Sequence, residues 1–329
     1  MSLIEFDNVS REFKIANIEK GAAGTIKSLF HREYIIKKAV DDISFHIESG
    51  EVVGYIGANG AGKSTTIKLL SGILYPTKGQ VRVDGISPYK KRKQNASQIG
   101  VVFGQRSQLF WDLPFGDTLN LYKKMYNIPD DIYKKNYRYF VELLDMQEFI
   151  NQPARQLSLG QKMKANIMVS MLHDPKILYL DEPTIGLDVV TKRKLRECIK
   201  EINQDKKTTI ILTTHDMNDI EAVCSRLILI DKGKKLFDGN MDMFRETYAA
   251  GLEFVLEFSD ICPAWTDMEG FRLAGVEELK WKIVYKGDVK ESSVLCTRLI
   301  EKYHPVNIWV GVPSIENIVA DYYSKPSIV

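Results

Sequence analysis

The spacing of apolar residues along the chain alternates between short continuous runs and helical periods. Residues 3–9 alternate apolar and polar positions, which predicts a half-buried edge strand. Strand-sized apolar runs follow at 39–47, 52–56, 177–180, 208–213 and 227–230. Helical periods occupy 64–72, most of 117–150, 159–172, 191–203 and 217–224. Strands that alternate with helices, and that are apolar throughout, predict an α/β fold with a largely parallel sheet.

The pattern changes near residue 240. The elements predicted beyond this point are three strands and two helices, at 252–258, 281–285, 306–310, about 292–303 and about 314–323. This order indicates a small second domain of α+β type. We therefore expect a first domain over 1–240 and a second over 245–329.

Composition narrows the class of protein. The 329 residues include 45 Lys and Arg against 43 Asp and Glu, so the formal charge is only +2. This balance gives no support for nucleic-acid binding through bulk electrostatics. The four cysteines are widely separated, which favours reduced thiols over a disulfide framework or a zinc site. No apolar run approaches the ~20 residues of a membrane helix, and the first residues lack the order of a signal peptide.

A glycine-rich segment gives a specific signal for phosphate binding. Residues 57–64 read Gly-Ala-Asn-Gly-Ala-Gly-Lys-Ser, between a predicted strand and a predicted helix. Glycines let successive backbone N–H groups face one phosphate, and the helix N-terminus adds partial positive charge. We expect Lys63 to reach the β- and γ-phosphates and Ser64 to ligate Mg²⁺. The nucleotide-binding residues predicted here are Gly57, Asn59, Gly60, Ala61, Gly62, Lys63, Ser64 and Thr65.

Two adjacent acidic residues, Asp181 and Glu182, end the apolar run 177–180. The carboxyl ends of strands in open α/β sheets form the crevice where ligands bind. Neighbouring residues of a strand point to opposite sides. We therefore expect Asp181 to serve Mg²⁺ while Glu182 polarises the attacking water.

With these motifs in order, residues 1–240 resemble the ATP-binding cassette family, the ATPase subunits of ABC transporters. Beyond the two general motifs, the resemblance rests on residues 157–161, Leu-Ser-Leu-Gly-Gln, which open a helix as the family's signature does. The family implies a P-loop core with a mostly parallel sheet, an antiparallel β subdomain and a helical subdomain at about 106–175. The last ~85 residues resemble the small α+β domain appended to some members.

The family also implies a head-to-tail dimer. In that arrangement Ser158 and Gly160 of one subunit cap the γ-phosphate held by Lys63 of the other, and Gln161 belongs to the same nucleotide-binding motif. Read without the family, Ser158 is an N-cap of the following helix. Leu159 stands where the usual signature has its first glycine, while Ser158 and Gly160 are retained.

Three further residues match the family by position. Gln105 resembles the glutamine that approaches Mg²⁺ and the nucleotide and signals to the membrane subunit. Asp188, in Gly-Leu-Asp, resembles the aspartate at the dimer interface, and His215 resembles the histidine that contacts the γ-phosphate. Taken singly, these residues would be a surface glutamine, a helix N-cap and a structural histidine.

The aromatic residue that stacks on adenine has two candidates. Tyr34 lies eight residues before Asp42, which is the family's spacing, and we favour it over Phe13, which follows the first strand directly. This choice treats residues 14–33 as an insertion. Within it, the helically spaced apolar side chains Ile26, Leu29 and Phe30 favour a small helix that packs on its own domain.

Residues 100–114, Gly-Val-Val-Phe-Gly-Gln-Arg-Ser-Gln-Leu-Phe-Trp-Asp-Leu-Pro, resemble the ATPases of ABC-2-type exporters. That resemblance implies ATP and Mg²⁺ as ligands, and a homodimer or heterodimer of ATPase subunits. It further implies separate ABC-2-like permease chains, no nucleic-acid partner, and a place on the cytoplasmic face of the membrane. We expect the second domain to be regulatory or dimer-stabilising.

Two other function classes remain open at this point. A soluble cassette ATPase that acts on ribosomes or nucleic acid usually has paired cassettes or a long coiled-coil insertion, and this chain shows neither. A P-loop kinase-like phosphotransferase would leave residues 158–161 and His215 unexplained.

Overall fold

A computed structural model of the chain describes residues 2–16, 34–104, 106–248, 251–285, 287, 292–311 and 318–319. It divides the chain into two compact units, Met1–Gly239 and Asn240–Val329. Gln105, the apolar triple at 26–30 and most of the helix expected near 314–323 lie outside the described residues.

The strands up to the unit boundary are β1 (Ile4–Ala16), β2 (Tyr34–Ile47), β3 (Val52–Gly57), β4 (Lys78–Val83), β5 (Ile99–Phe103), β6 (Ile177–Asp181), β7 (Thr209–Thr214), β8 (Arg226–Asp231) and β9 (Lys234–Asn240). The helices are α1 (Lys63–Leu70), α2 (Arg92–Ala96), α3 (Phe115–Met125), α4 (Asp130–Leu143), α5 (Leu159–Met171), α6 (Val189–Lys206) and α7 (Met217–Val223). The predicted α/β class is confirmed.

The central sheet has six strands in the order β5-β6-β7-β3-β8-β9. The pairs from β5 to β8 are all parallel, so these strands end at one edge of the sheet. Every residue of β3, β6 and β7 is buried, as their uninterrupted apolar runs predict. The ends of these three strands, at Gly57, Asp181 and Thr214, therefore lie side by side.

A second sheet is antiparallel and has the order β2-β1-β4. The β1–β2 pairing runs from Ile4 opposite Ile47 to Ala16 opposite Tyr34, with irregular register between Phe6 and Glu12. Both strands are longer than the sequence predicts, because β1 continues to Ala16 and β2 already begins at Tyr34. Residues 14–16, assigned to the insertion, therefore belong to a strand.

The second unit has its own sheet and core. Its elements are α8 (Met241–Tyr248), β10 (Leu252–Glu257), β11 (Phe271–Glu277), β12 (Lys280–Tyr285), α9 (Ser292–Tyr303) and β13 (Asn307–Gly311). The strands are antiparallel in the order β11-β12-β10-β13. Alternate residues of β10 and β12, among them Phe254, Trp281 and Ile283, are buried together with Leu299 of α9. This is the α+β composition expected from the sequence.

Candidate active site

The P-loop, the glycine-rich segment 57–64, joins the end of β3 to the start of α1 and follows a conformation that only glycine adopts easily. Gly60 and Gly62 have φ values of 84° and 117°. A Cβ on Gly62 would lie 2.3 Å from the carbonyl oxygen of Ala39. The backbone therefore has no room for a side chain where it turns into α1. Because the first N–H groups of a helix have no partner within the helix, those of α1 can face an anion.

Lys63 is buried within this loop. Its Nζ donates a hydrogen bond to the carbonyl oxygen of Gly57 at 2.7 Å and lies 3.7 Å from Oε1 of Glu182. Burial lowers the pKa of Lys63, and the charges of Glu182 and Asp181 oppose that shift. An ammonium so placed is available to a polyphosphate bound on the loop.

Ser64 and Asp181 meet although 117 positions separate them in the chain. The Ser64 hydroxyl donates to Oδ1 of Asp181 at 3.2 Å, and the Thr213 hydroxyl donates to the same oxygen at 2.6 Å. Asp181 is only 8% exposed. A hydroxyl and a carboxylate oxygen at this edge form a donor set suited to a hard divalent cation.

Glu182 lies between the P-loop and His215. Its Oε1 lies 3.9 Å from Nδ1 of His215, and its side chain is more buried than that of the histidine, at 21% against 58% exposed. The backbone of Glu182 has φ of 56°, an unusual conformation for a residue with a side chain. The carboxylate is thus held among groups that would face the γ-phosphate.

A cavity of about 350 Å³ lies over the P-loop. Its lining includes Phe13, Ile15, Lys37, Ala39, Asn59, Gly60, Gly62, Lys63, Ser64, Thr65 and Glu182. Tyr34 is 53% exposed and does not line this cavity. The sequence favours Tyr34 over Phe13 as the residue that stacks on adenine, but of these two aromatics only Phe13 lines the cavity.

The Phe13 ring has a defined neighbour. The guanidinium carbon of Arg11 lies 4.8 Å from the centre of the Phe13 ring and 4.7 Å from that of Tyr75. Cation–π attraction to both rings restrains Arg11 and, with it, the Phe13 side chain.

Residues 158–161 form a regular helix start away from this cavity. The Ser158 hydroxyl accepts a hydrogen bond from the Gln161 backbone N–H at 3.2 Å, and Gln161 Oε1 accepts from the Ser158 N–H at 2.8 Å. This is a capping box, so Leu159 at the place of the family's glycine leaves the start of α5 intact. None of Ser158, Gly160 and Gln161 lines the cavity over the P-loop.

Asp188 begins α6 next to the start of α5. It accepts hydrogen bonds from the Thr191 N–H at 2.9 Å and the Thr191 hydroxyl at 2.6 Å, and these bonds hold the pKa of Asp188 below its usual value. A Cβ placed on Gly160 would lie 2.9 Å from Cγ2 of Thr191, and one placed on Gly186 would lie 3.0 Å from Cδ2 of Leu159. The signature and the Gly-Leu-Asp segment are therefore direct neighbours within one chain.

The fold and this site define the class of protein as a P-loop nucleotide-binding ATPase. The family model for "ABC transporter" matches residues 40–185. The chain is 32% identical over 212 residues to "ABC transporter ATP-binding protein NatA" of Bacillus subtilis, covering 64% of this chain and 86% of that protein. It is 31% identical over 251 residues to "Methionine import ATP-binding protein MetN 2" of Enterococcus faecalis, covering 75% and 68%.

A solved structure shows the same fold. The cbiO1 protein of Clostridium perfringens, described as part of the ABC transporter complex cbiONQ, matches with a TM-score of 0.61 and 25% identity. The match covers 75% of this chain and 92% of cbiO1. The chain belongs to the ABC transporter family as an ATP-binding, ATP-hydrolysing subunit. Among the described residues, no helix combines the length and apolar character needed to span a bilayer.

Proposed function

We propose that this chain binds Mg-ATP between two ATPase subunits and uses its hydrolysis to drive a separate membrane permease. The observation that supports this most strongly is the meeting of Lys63, Ser64, Asp181 and Glu182 at one sheet edge, beside His215. These hydrolytic groups all belong to one chain, whereas Ser158, Gly160 and Gln161 do not line the cavity over the P-loop, which supports their action on the ATP of a second subunit.

In this proposal the P-loop N–H groups and Lys63 hold the β- and γ-phosphates. Ser64 and Asp181 would hold Mg²⁺, which when bound neutralises charge on the transferring phosphoryl group. Glu182 orients and polarises the attacking water, and His215 contacts the γ-phosphate. Catalysis then rests on positioning and charge stabilisation.

We place the adenine against Phe13 rather than Tyr34, since Phe13 lines the cavity over the P-loop. Stacking on a flat apolar ring is the interaction that a nucleobase makes with little sequence preference. Gln105 lies outside the described residues. We propose for it the role that the family resemblance implies, which is to approach Mg²⁺.

The second subunit supplies Ser158 and Gly160 to the γ-phosphate in this proposal. The start of α5 presents backbone N–H groups and a partial positive charge, which suit an anion. Ser158 is exposed and already fixed by its capping box with Gln161. Asp188, at the neighbouring start of α6, would lie at the same interface.

The permease is proposed to be of the ABC-2 exporter type, on the resemblance of residues 100–114. Within this segment Phe110 and Trp111 are 41% and 64% exposed, and Nζ of Lys162 lies 5.3 Å from the centre of the Trp111 ring. An exposed aromatic pair that follows Gln105 by five and six positions in the sequence supports a docking site for a membrane subunit on the cytoplasmic side. The second unit, Asn240–Val329, lies after all these motifs, and we propose a regulatory or dimer-stabilising role for it.

The substitution Glu182→Gln tests the hydrolytic assignment. Gln keeps the size of the side chain and loses the carboxylate, so we expect ATP binding to stay near the wild-type level. The steady-state rate of phosphate release should fall about a hundredfold or more, the scale of a lost general base. Undiminished release at saturating Mg-ATP would contradict the role assigned to Glu182.

A further inference from the structure

The buried carboxylate of Asp219, in α7, bonds to the segments that contain Glu182 and His215. Asp219 is completely buried. Its Oδ2 accepts hydrogen bonds from the hydroxyls of Thr184 at 2.5 Å and Thr214 at 3.1 Å. Its Oδ1 accepts from Nε of Arg196 at 2.6 Å and lies 2.6 Å from an NH2 nitrogen of the same guanidinium. Every partner of this carboxylate is therefore a hydrogen-bond donor.

The partners of Asp219 come from three parts of the chain. Thr184 lies two residues after Glu182, and Thr214 immediately precedes His215. Arg196 belongs to α6, the helix that begins after Asp188. Both threonines are nearly inaccessible, at 3% and 1% exposed. A single side chain thus fixes the loop after Glu182, the strand end before His215 and the body of α6.

A second ion pair joins the same two helices. Nζ of Lys192 in α6 lies 2.7 Å from Oδ2 of Asp216, the N-cap residue of α7. The backbone N–H of Asp216 donates to the Thr214 hydroxyl at 3.0 Å, so Thr214 is bonded to both aspartates. Arg196 also approaches Asp216, at 3.7 Å. The start of α7, directly after His215, is therefore held by ion pairs to two successive turns of α6.

The backbone of Glu182 needs such support. A residue with a side chain is strained at a φ of 56°, and this conformation persists only where the surroundings determine it from several sides. On the N-terminal side, the Glu182 N–H donates to the carbonyl oxygen and the hydroxyl of Thr213 at 2.9 and 3.1 Å. On the C-terminal side, the bond from Thr184 to Asp219 is the side-chain restraint nearest to Glu182.

Burial explains why the charges in this cluster are matched. A carboxylate removed from water is stable only when it is paired and fully hydrogen-bonded. Arg196 supplies the opposite charge, and the two hydroxyls satisfy the other oxygen. Removal of one partner leaves a buried polar group unsatisfied, which shifts the remaining partners rather than leaving them in place.

We propose that Asp219 is a positioning residue for ATP hydrolysis, which holds Glu182 through Thr184 and His215 through Thr214 and links both to α6 through Arg196. It makes no contact with ATP in this role. The inference rests on the proposed hydrolytic role of Glu182 and adds residues that act on it.

Thr184→Val is the most selective test, because it removes one hydroxyl and keeps the shape of the side chain. A misplaced reacting group costs about 10- to 100-fold in rate, so we expect kcat to fall on that scale. Both KM for ATP and the dissociation constant of ATP should change little. The rate is expressed per ATP-binding site, so that a smaller folded fraction does not count as a slower enzyme. Thr184→Ser keeps the hydroxyl and should restore most of the rate.

Thr118→Val is the matched control. Thr118 of α3 is fully buried, and its hydroxyl has no hydrogen-bond partner among the described residues. The same chemical change at this site should leave kcat per binding site at the wild-type value. Asp219→Asn provides an independent variant should Thr184→Val fold poorly, and it should show the same loss of kcat with ATP binding retained.

Thr184→Val in a Glu182→Gln background separates positioning from a merely structural effect. If Thr184 acts through Glu182, the second substitution should cause little further slowing, since residues that act as a unit are not additive. Equal kcat per site in wild type, Thr184→Val and Asp219→Asn would overturn the inference, even if both variants melt at lower temperature. Hydrolysis at the wild-type rate by Glu182→Gln would instead contradict the hydrolytic role proposed for Glu182, on which this inference rests.

Discussion

At the scale of single residues, Lys63 shows how burial prepares the site for a polyphosphate. Its Nζ bonds to the carbonyl oxygen of Gly57 and lies near Glu182, and burial lowers its pKa. Because a triphosphate adds several negative charges beside the ammonium, ATP binding should favour the protonated lysine. The same charges repel Glu182, which agrees with its assigned place beside the water rather than on the phosphate.

The aromatic assignment gives a prediction at this scale. Phe13→Ala should weaken ATP binding about 5- to 150-fold, because loss of base stacking costs about 1–3 kcal/mol. Tyr34→Ala is the matched control, since Tyr34 does not line the cavity, and it should bind ATP as the wild type does. Equilibrium binding of ATP by both variants measures this. A large loss in Tyr34→Ala with none in Phe13→Ala would instead identify Tyr34 as the stacking residue.

The sequence identifies the residues whose chemistry depends on local spacing. The P-loop, the Asp181-Glu182 pair and the N-cap residues Ser158 and Asp188 all follow from a few adjacent letters, because the strand end or helix start is part of the motif. The choice between Phe13 and Tyr34 does not, because the register of β1 against β2 decides which side chain reaches the P-loop. The Asp219 cluster is likewise not predictable, since its partners lie 35, 23 and 5 positions away.

At the scale of elements, a half-buried histidine just after α5 packs against the residue that follows α3. His173 stacks on Tyr126 with ring centres 4.2 Å apart, and its Nε2 lies 3.1 Å from the carbonyl oxygen of Ile99. Its Nδ1 is buried and has no hydrogen-bond partner among the described residues. Burial lowers the pKa of His173 to about 4, although Ile99 and Asp174 favour the charged form.

This pKa predicts a pH dependence of stability. Below about pH 6.5 the unfolded chain binds a proton at His173, whereas the folded protein does so only near pH 4. The free energy of unfolding should therefore fall as the pH drops through this window, by on the order of 3 kcal/mol from this group. Denaturant titrations of wild type and His173→Gln between pH 7 and about pH 4 isolate it, since other groups titrate in both. Parallel pH curves for the two proteins would contradict the prediction.

Strands and helices with clear periods are predicted well at this scale, and elements without them are missed. β3, β6 and β7 are found where continuous apolar runs predict them, because a buried parallel strand needs apolar residues on both faces. β9 and β11 are not predicted, since their residues are mostly half-exposed or exposed and show no continuous apolar run. Their place depends on pairing with neighbouring strands, which single-chain periodicity does not contain.

At the scale of the whole molecule, the chain divides into two units, and all the nucleotide-binding motifs belong to the first. P-loop residues and Glu182 line one cavity, and neither Ser158 nor Gly160 is part of its lining. The sequence predicts the change of pattern near residue 240, and the units divide between Gly239 and Asn240. It does not name the transported substrate, because in the proposed architecture the permease contacts the cargo.

We propose that the two ATPase subunits are copies of this chain that share each ATP, and one mixing experiment tests this proposal most directly. Chains with Lys63→Ala lack a working P-loop, and chains with Gly160→Asp lack a working signature, so each should be nearly inactive alone. A mixed head-to-tail dimer restores one intact site, so an equimolar mixture should recover about a quarter of the wild-type ATPase rate.

The control mixes Lys63→Ala chains with chains that contain both substitutions, and no intact site can form there. We expect ATPase activity in the first mixture and none in the second. If the first mixture stayed as inactive as its two components, two copies of this chain would not share an ATP site.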